Sequence, residues 1–241
     1  MGDVMNYGLS ILSMCISTAI AIILPIAAAL FFNKKYNTSW KAVVVGALIF
    51  IVFQPLTRFQ LLGLWQKTNW YTYNSVVNPW TIYLIAGFTA GIFENVGRFI
   101  GFKFFLRDKL EWKNGIAYGI GHGGIEAVLL AGIPFMNLIV TTLTNGMLVY
   151  NDPFMYLIGG IERIFAMTLH VALSLVVLYG VKNKKNRYLL YAIVLHGLVD
   201  SSIGFIKNTI LLEVWVAIFA VALLFFIIRK IKKSSSEKIL D

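Results

Sequence analysis

The chain has 241 residues, of which 59% are hydrophobic and only 13% are charged. Soluble domains contain about 45–50% apolar and about 25% charged residues, so this composition excludes a soluble fold. The formal net charge is +10, but the basic residues are spread through short segments between apolar runs. They therefore predict membrane orientation, and we expect no nucleic-acid partner.

Apolar runs recur along the whole chain, and each is long enough to cross a hydrocarbon core of about 30 Å as a helix. Seven spans are predicted, at residues 9–32, 42–62, 80–102, 115–132, 155–180, 188–206 and 209–229. We therefore expect an all-α, polytopic transmembrane helix bundle. It forms a single domain over residues 1–233, followed by a short polar tail at residues 234–241.

Basic residues mark one side of this bundle. Sixteen of the 21 Lys and Arg residues follow the first, third, fifth and seventh spans. The positive-inside rule places these segments in the cytoplasm, so we expect the N-terminus outside and the C-terminal tail cytoplasmic. The predicted location is a bacterial plasma membrane, with the lipid bilayer as a partner.

Residues 133–150 are apolar, yet a further complete crossing would put the later basic segments on the wrong side. Three interpretations remain open: a broken extension of the fourth span, a re-entrant hairpin, or a surface helix that begins near Pro134. The last two would add an eighth membrane element.

The third and fourth predicted spans are rich in glycine, which lets helix backbones approach closely. Close packing of these two spans would bring their polar residues together.

Ionisable side chains are numerous inside the predicted spans. Each costs at least about 2.5–3.5 kcal/mol on insertion scales, so such groups normally face the protein interior or a water-filled cavity. A spacing of four residues places both members of a pair on one helix face. Three pairs have this spacing: Glu94 and Arg98, His122 and Glu126, and His196 and Asp200.

The alternating directions of the spans also place several of these groups at one depth. Glu94, His122, His170 and His196 all fall near the middle of their helices, and Glu162 shares a helix face with His170. Four helices can thus present one acid and three imidazoles at a common level. Hydrogen bonds that merely hold the bundle together are the simpler interpretation, and we assign Arg163 such a structural role.

Two hydrolytic chemistries fit this cluster, and the sequence leaves both open. In the first, Glu94 is a general base that takes a proton from water. His122 and His196 hold the same water and then stabilise the oxyanion of an attacked peptide carbonyl.

In the second chemistry, a divalent metal such as zinc is bound by His122 and His196 together with His170, Glu126 or Asp200, and the same glutamate is the base. Asp200 lies one turn from His196 and would either orient that imidazole or bind the metal directly.

Three segments carry a resemblance to known membrane proteases. They are Phe93-Glu94-Asn95-Val96-Gly97-Arg98, Tyr118-x-x-x-His122 and His196-Gly197-Leu198-Val199-Asp200. In order and helix assignment they resemble the YhfC membrane family, which is itself similar to the type II CAAX prenyl proteases and the PrsW proteases. The doubled glutamate of the related families is absent here, because Asn95 follows Glu94.

The resemblance implies an intramembrane endopeptidase in which Glu94 activates water, while His122, His196 and Asp200 complete the catalytic site. Residues expected in supporting positions are Asn95, Arg98, Glu126, Glu162 and His170. The substrate would be a membrane protein or a peptide.

Two other functions fit the same fold. One is a non-catalytic membrane scaffold or immunity-type binding protein. The other is an ion or proton transporter, because paired acids and histidines also build relays. Transport is disfavoured because no inverted repeat relates the two halves of the sequence.

Overall fold

A computed structural model describes residues 2–146, 148–149 and 152–237, with side chains from residue 6 to residue 233. Within these ranges all regular structure is helical, which confirms the predicted all-α fold. The ten α-helices are α1 (Gly2–Tyr36), α2 (Trp40–Phe53), α3 (Phe59–Gln66), α4 (Asn69–Val77), α5 (Pro79–Ile100), α6 (Trp112–Ala127), α7 (Ile133–Asn145), α8 (Pro153–Lys182), α9 (Arg187–Phe205) and α10 (Thr209–Glu237). Three π-helical turns extend or join them, at Gln54–Arg58, Gly101–Phe105 and Val128–Gly132.

Six helical stretches of the described chain are long and apolar enough to cross a membrane. They are Asn6–Tyr36, Trp40–Gln66, Trp112–Asn145, Pro153–Lys182, Arg187–Phe205 and Thr209–Lys233. The third predicted span is a special case. Its helix, Pro79–Phe105, qualifies only together with α4, from which it is bent by 117°. The protein is therefore a multi-pass membrane protein with six to seven crossings.

Of the three interpretations of residues 133–150, the structure agrees with a broken extension of the fourth span. Helix α6 continues through the π-helical turn Val128–Gly132 into α7, so that Trp112–Asn145 forms one helical stretch of 34 residues. Pro134 lies just after this π-helical turn, and because proline has no N–H it interrupts the hydrogen-bond ladder of the long helix at this point. Helix α7 ends at Gly146, whose φ of +70° is the left-handed conformation typical of a helix C-terminus.

Two parts of the predicted organisation lie partly outside the described residues. These are residues 147 and 150 in the segment after the fourth span, and residues 238–241 of the predicted tail. Helix α10 continues through residues 234–237, at the start of that tail.

The buried core of the bundle is built around α6 and α8. Every residue from Asn114 to Gly124 and from Leu169 to Gly180 is buried. Helix α6 packs against α1, α2 and α8, and α8 packs against α1, α6, α9 and α10. Because these two segments are enclosed on all sides, their polar side chains face protein rather than lipid.

The glycines of α5 and α6 do permit close helix contact, but the two helices do not pack mainly against each other. Helix α5 packs chiefly against α9 and α6 against α2 and α8. A Cβ atom at Gly91 would lie 2.5 Å from the Ile193 carbonyl oxygen on α9, and one at Gly121 would lie 2.0 Å from the Val43 carbonyl oxygen on α2. Each glycine-rich helix therefore contacts a different neighbour.

Replacing Gly121 with alanine is expected to destabilise the protein, because the added methyl group would overlap a backbone atom that cannot rotate away. Overpacking of this kind costs about 1–3 kcal/mol. We expect the thermal unfolding midpoint in detergent to fall by about 2–10 °C. Gly63→Ala is the matched control, since no atom lies within 4 Å of a Cβ at that position. Equal midpoints for the two variants would contradict the prediction.

Candidate active site

Glu94 lies at the centre of a buried polar cluster. Its side chain is on α5 and only 4% of the residue is exposed. Oε1 accepts a hydrogen bond from Gln54 Nε2 at 2.6 Å, and Oε2 accepts one from Arg98 Nη2 at 3.0 Å. The carboxylate is therefore held from both sides, which is how a buried charge is normally tolerated.

The three histidines surround one oxygen of this carboxylate. Glu94 Oε2 lies 3.0 Å from His122 Nε2, 3.6 Å from His170 Nδ1 and 3.9 Å from His196 Nε2. All three histidines are buried. Helices α5, α6, α8 and α9 thus bring one acid and three imidazoles to a single point inside the bundle.

Asn95 determines which nitrogen of His196 carries the proton. Arg98 Nη1 donates to Asn95 Oδ1 at 3.1 Å, and because a guanidinium only donates, this contact fixes the orientation of the amide. The amide nitrogen donates to the carbonyl oxygens of Gly91 and Ala192 and also lies 3.2 Å from His196 Nδ1, so it faces that ring nitrogen as a donor and favours an acceptor there. The proton of His196 is on Nε2, which points towards Glu94.

Glu126 fixes the tautomer of His170 in the same way. Its Oε2 lies 2.7 Å from His170 Nε2, and since a carboxylate only accepts, that nitrogen carries the proton. Nδ1 of His170 therefore presents a lone pair to the centre of the cluster. Carboxylate–histidine pairs of this kind commonly orient metal-binding imidazoles.

Arg163 and Glu162 extend this network away from the centre. Arg163 Nη1 lies 3.5 Å from Glu126 Oε1, and the guanidinium also pairs with Glu162. Arg163 is thus linked through Glu126 to His170. Glu162 is connected to His170 only through Arg163 and Glu126.

Asp200 is the most exposed member of the predicted set, with 29% of its side chain accessible. Its Oδ1 lies 3.5 Å from His196 Nε2, the same nitrogen that faces Glu94. Asp200 therefore does not contact the opposite ring nitrogen of His196, where Asn95 lies instead.

Glu94, His122 and His170 form a group that can hold a metal ion, because one ligand atom from each lies within 4.8 Å of the others. Ligands about 2.0–2.2 Å from a tetrahedral zinc ion are about 3.4 Å apart, close to the 3.0 and 3.6 Å measured from Glu94 Oε2. Two histidines and one glutamate are also a known ligand set of zinc peptidases. The donor atoms therefore fit a divalent metal.

The remaining metal-ligand candidates do not join this group. His196 Nε2 lies 3.9 Å from Glu94 Oε2, farther than the other two imidazoles. Glu126 contacts the outer nitrogen of His170, and Asp200 Oδ1 lies 3.5 Å from His196 Nε2.

Two residues of the cluster were not predicted from the sequence. Gln54 is buried and donates to Glu94, while Arg58 donates to Gln54 Oε1 at 3.0 Å and to the Ala86 carbonyl at 2.6 Å. Both lie in the π-helical turn Gln54–Arg58, a feature frequent at functional sites. Their spacing of four residues inside an apolar span was the signal that could have revealed them.

Comparison with known proteins assigns the chain to a family. The model of a family described as YhfC intramembrane metalloprotease matches residues 20–221, a range that includes the whole cluster around Glu94. The chain belongs to the YhfC family.

A curated YhfC relative extends the match over nearly the whole chain. The "uncharacterized membrane protein YhfC" of Bacillus subtilis (strain 168) is 32% identical over 247 residues, covering 91% of this chain and 96% of the relative. No solved structure matches the chain. The YhfC assignment agrees with the predicted resemblance, and the family description supports a peptidase in the membrane.

Proposed function

We propose that this YhfC protein is an intramembrane endopeptidase that hydrolyses peptide bonds of membrane proteins or peptides. The observation that carries the proposal is the meeting of Glu94 Oε2 with three imidazole nitrogens at 3.0–3.9 Å inside the bundle. Ionisable groups at this depth are costly and are normally retained for function. The family description supports the same activity.

Glu94 is the general base in this proposal. Its carboxylate takes a proton from water as the water oxygen bonds to the carbonyl carbon of the substrate, and His122 holds that water in place. When the carbon–nitrogen bond breaks, Glu94 returns the proton to the leaving nitrogen. Gln54 and Arg98 keep the carboxylate oriented throughout. Proton transfer by a positioned group contributes about 10²–10⁴-fold in rate.

His196 is the electrophilic partner. Its Nε2–H points into the cluster and would donate to the carbonyl oxygen as negative charge develops on it. Asn95 keeps the proton on that nitrogen, because the amide nitrogen faces Nδ1. Asp200, beside the same N–H, orients it towards the more exposed side of the cluster.

Glu94, His122 and His170 are the residues that would hold a divalent metal, with His170 using the nitrogen that Glu126 leaves free. Oε2 of Glu94 would then be the ligand atom, and the proton from water would go to Oε1 of the same carboxylate. When bound, such an ion would supply Lewis-acid activation of water and of the carbonyl. Zinc is the metal that this ligand set favours.

Exposure along the bundle indicates the side from which a substrate approaches. The segment Leu169–Gly180 is buried, whereas Asp200, Glu162 and Arg163 are partly exposed at the opposite half of the helices. A cleft in that half is lined by apolar residues of α7 and α8 together with Glu162 and Arg163. We place substrate entry there, which the positive-inside rule assigns to the outer half of the membrane.

The proposal predicts new peptide termini inside transmembrane segments of other proteins. Membranes from cells that express the protein would be compared by mass spectrometry with membranes that contain Glu94→Gln. Termini present only with the wild type, and lost after chelation but restored by zinc, are expected. If the two membrane proteomes were identical, peptidase activity would be rejected in favour of a scaffold or transporter.

A further inference from the structure

Arg98 touches two of the three atoms that would bind the metal. Its Nη2 lies 2.5 Å from His170 Nδ1 and 3.0 Å from Glu94 Oε2. The residue is fully buried, and Nη1 is tied to Asn95. The guanidinium is therefore in direct contact with the centre of the candidate metal site.

His170 Nδ1 has one lone pair in the plane of its ring. Because Nε2–H is committed to Glu126, this lone pair is the only way in which His170 can act at the centre. It can accept a hydrogen bond from Arg98 or bind a metal, but it cannot do both. Arg98 cannot resolve the conflict by losing a proton, since a guanidinium stays charged in proteins.

One of the hydrogen-bond donors of the Arg98 guanidinium is also unpaired within the described part of the chain. Its Nε–H is buried without a hydrogen-bond partner among the described residues. An unmade hydrogen bond of a buried charged group is unfavourable, so holding Arg98 at this position costs free energy.

We propose that Arg98 and a divalent metal compete for His170 Nδ1 and Glu94 Oε2. Metal binding then requires the guanidinium to leave His170, and Arg98 sets the affinity of the site for the metal. Without metal, Arg98 is the cation that keeps Glu94 and His170 aligned. This inference rests on the metal-binding part of the proposed function.

Metal titration of the purified full-length protein in detergent tests the competition. The apo protein would be prepared with a chelator and titrated with Co²⁺, whose absorption reports binding directly. Arg98→Met keeps side-chain length but removes the competing donors, so we expect at least a tenfold lower Kd for Co²⁺. Unchanged or weaker binding would overturn the proposal, as would a failure of both proteins to bind the ion.

Arg229→Met is the control for a simple loss of one positive charge. That guanidinium is exposed, lies 4.1 Å from the centre of the Phe225 ring and is remote from the metal-ligand atoms. We expect its Kd to stay within threefold of the wild type. An equal gain in affinity for both variants would show that charge alone sets affinity, and direct competition would be rejected.

If Arg98→Met does not fold, Arg98→Lys is the second variant that tests the competition. A single ammonium group keeps the charge but cannot reach Asn95, Glu94 and His170 at once. Tighter Co²⁺ binding than in the wild type supports competition, and equal binding overturns it. Peptide cleavage is measured separately. If the protein cleaves peptides but shows no competition, only the competition is rejected. If it shows competition but never cleaves a peptide, only the peptidase function is rejected.

Discussion

Glu94→Gln is expected to abolish peptide cleavage while the protein remains folded. The amide has nearly the same shape as the carboxylate and can still accept a hydrogen bond from Arg98, but it cannot take a proton from water. We expect a loss of about 10²–10⁴-fold in the cleavage rate. The rate would be measured with purified protein in liposomes on a substrate identified from its new termini.

Two controls make this result interpretable. Glu111→Gln removes an acid whose side chain is 58% exposed and pairs with Lys113, so its rate should match the wild type. Gel filtration and thermal unfolding would show whether the Glu94 variant is folded, because Arg98 loses a charged partner. Cleavage at the wild-type rate by a folded Glu94→Gln protein would exclude Glu94 as the base.

His196→Phe is expected to lower kcat by about 10²–10³-fold with little change in KM. The phenyl ring fills the same space, but it lacks the N–H that would stabilise the developing oxyanion. An interaction formed only in the transition state affects kcat rather than KM. The measurement is the full dependence of rate on substrate concentration.

Asn95→Asp should produce the same defect through the tautomer of His196. The new carboxylate can still pair with Arg98, but it can only accept a hydrogen bond from His196 Nδ1, so the proton of the neutral ring moves to Nδ1 and Nε2 loses its N–H. Since both substitutions remove one N–H, their combination should be no worse than either alone. Additive losses, or a normal kcat for Asn95→Asp, would contradict the assignment of His196 as donor.

The meeting of Glu94 with His122, His170 and His196 was accessible to sequence analysis because helix geometry constrains it strongly. A span of known direction fixes the depth of each residue through the rise of 1.5 Å per residue. Polar groups at one depth in a membrane have few alternatives to facing one another. The spacing of four residues likewise placed Arg98 beside Glu94, where the structure has it.

Which helices pack against each other could not be predicted from the sequence in this way. The glycines of α5 and α6 indicated close packing, but glycine shows only that a neighbour is near and not which helix it is. Gln54 is uncharged and by itself carries little signal, so only its spacing of four residues from Arg58 in the same apolar span could have revealed it. The structural role predicted for Arg163 did not include its partner, which is Glu126, directly behind His170.

The sequence by itself determined that this YhfC protein is an all-α, multi-pass membrane protein, and it predicted that one acid and three histidines lie close together inside the bundle. The bilayer imposes these features, because every backbone polar group in lipid must be paired within a helix of sufficient length. Only the tertiary structure decided the rotation of each helix and hence the nitrogen that each histidine presents. Those choices depend on contacts between residues far apart in the chain, such as Asn95 with His196, Glu126 with His170 and Arg98 with His170.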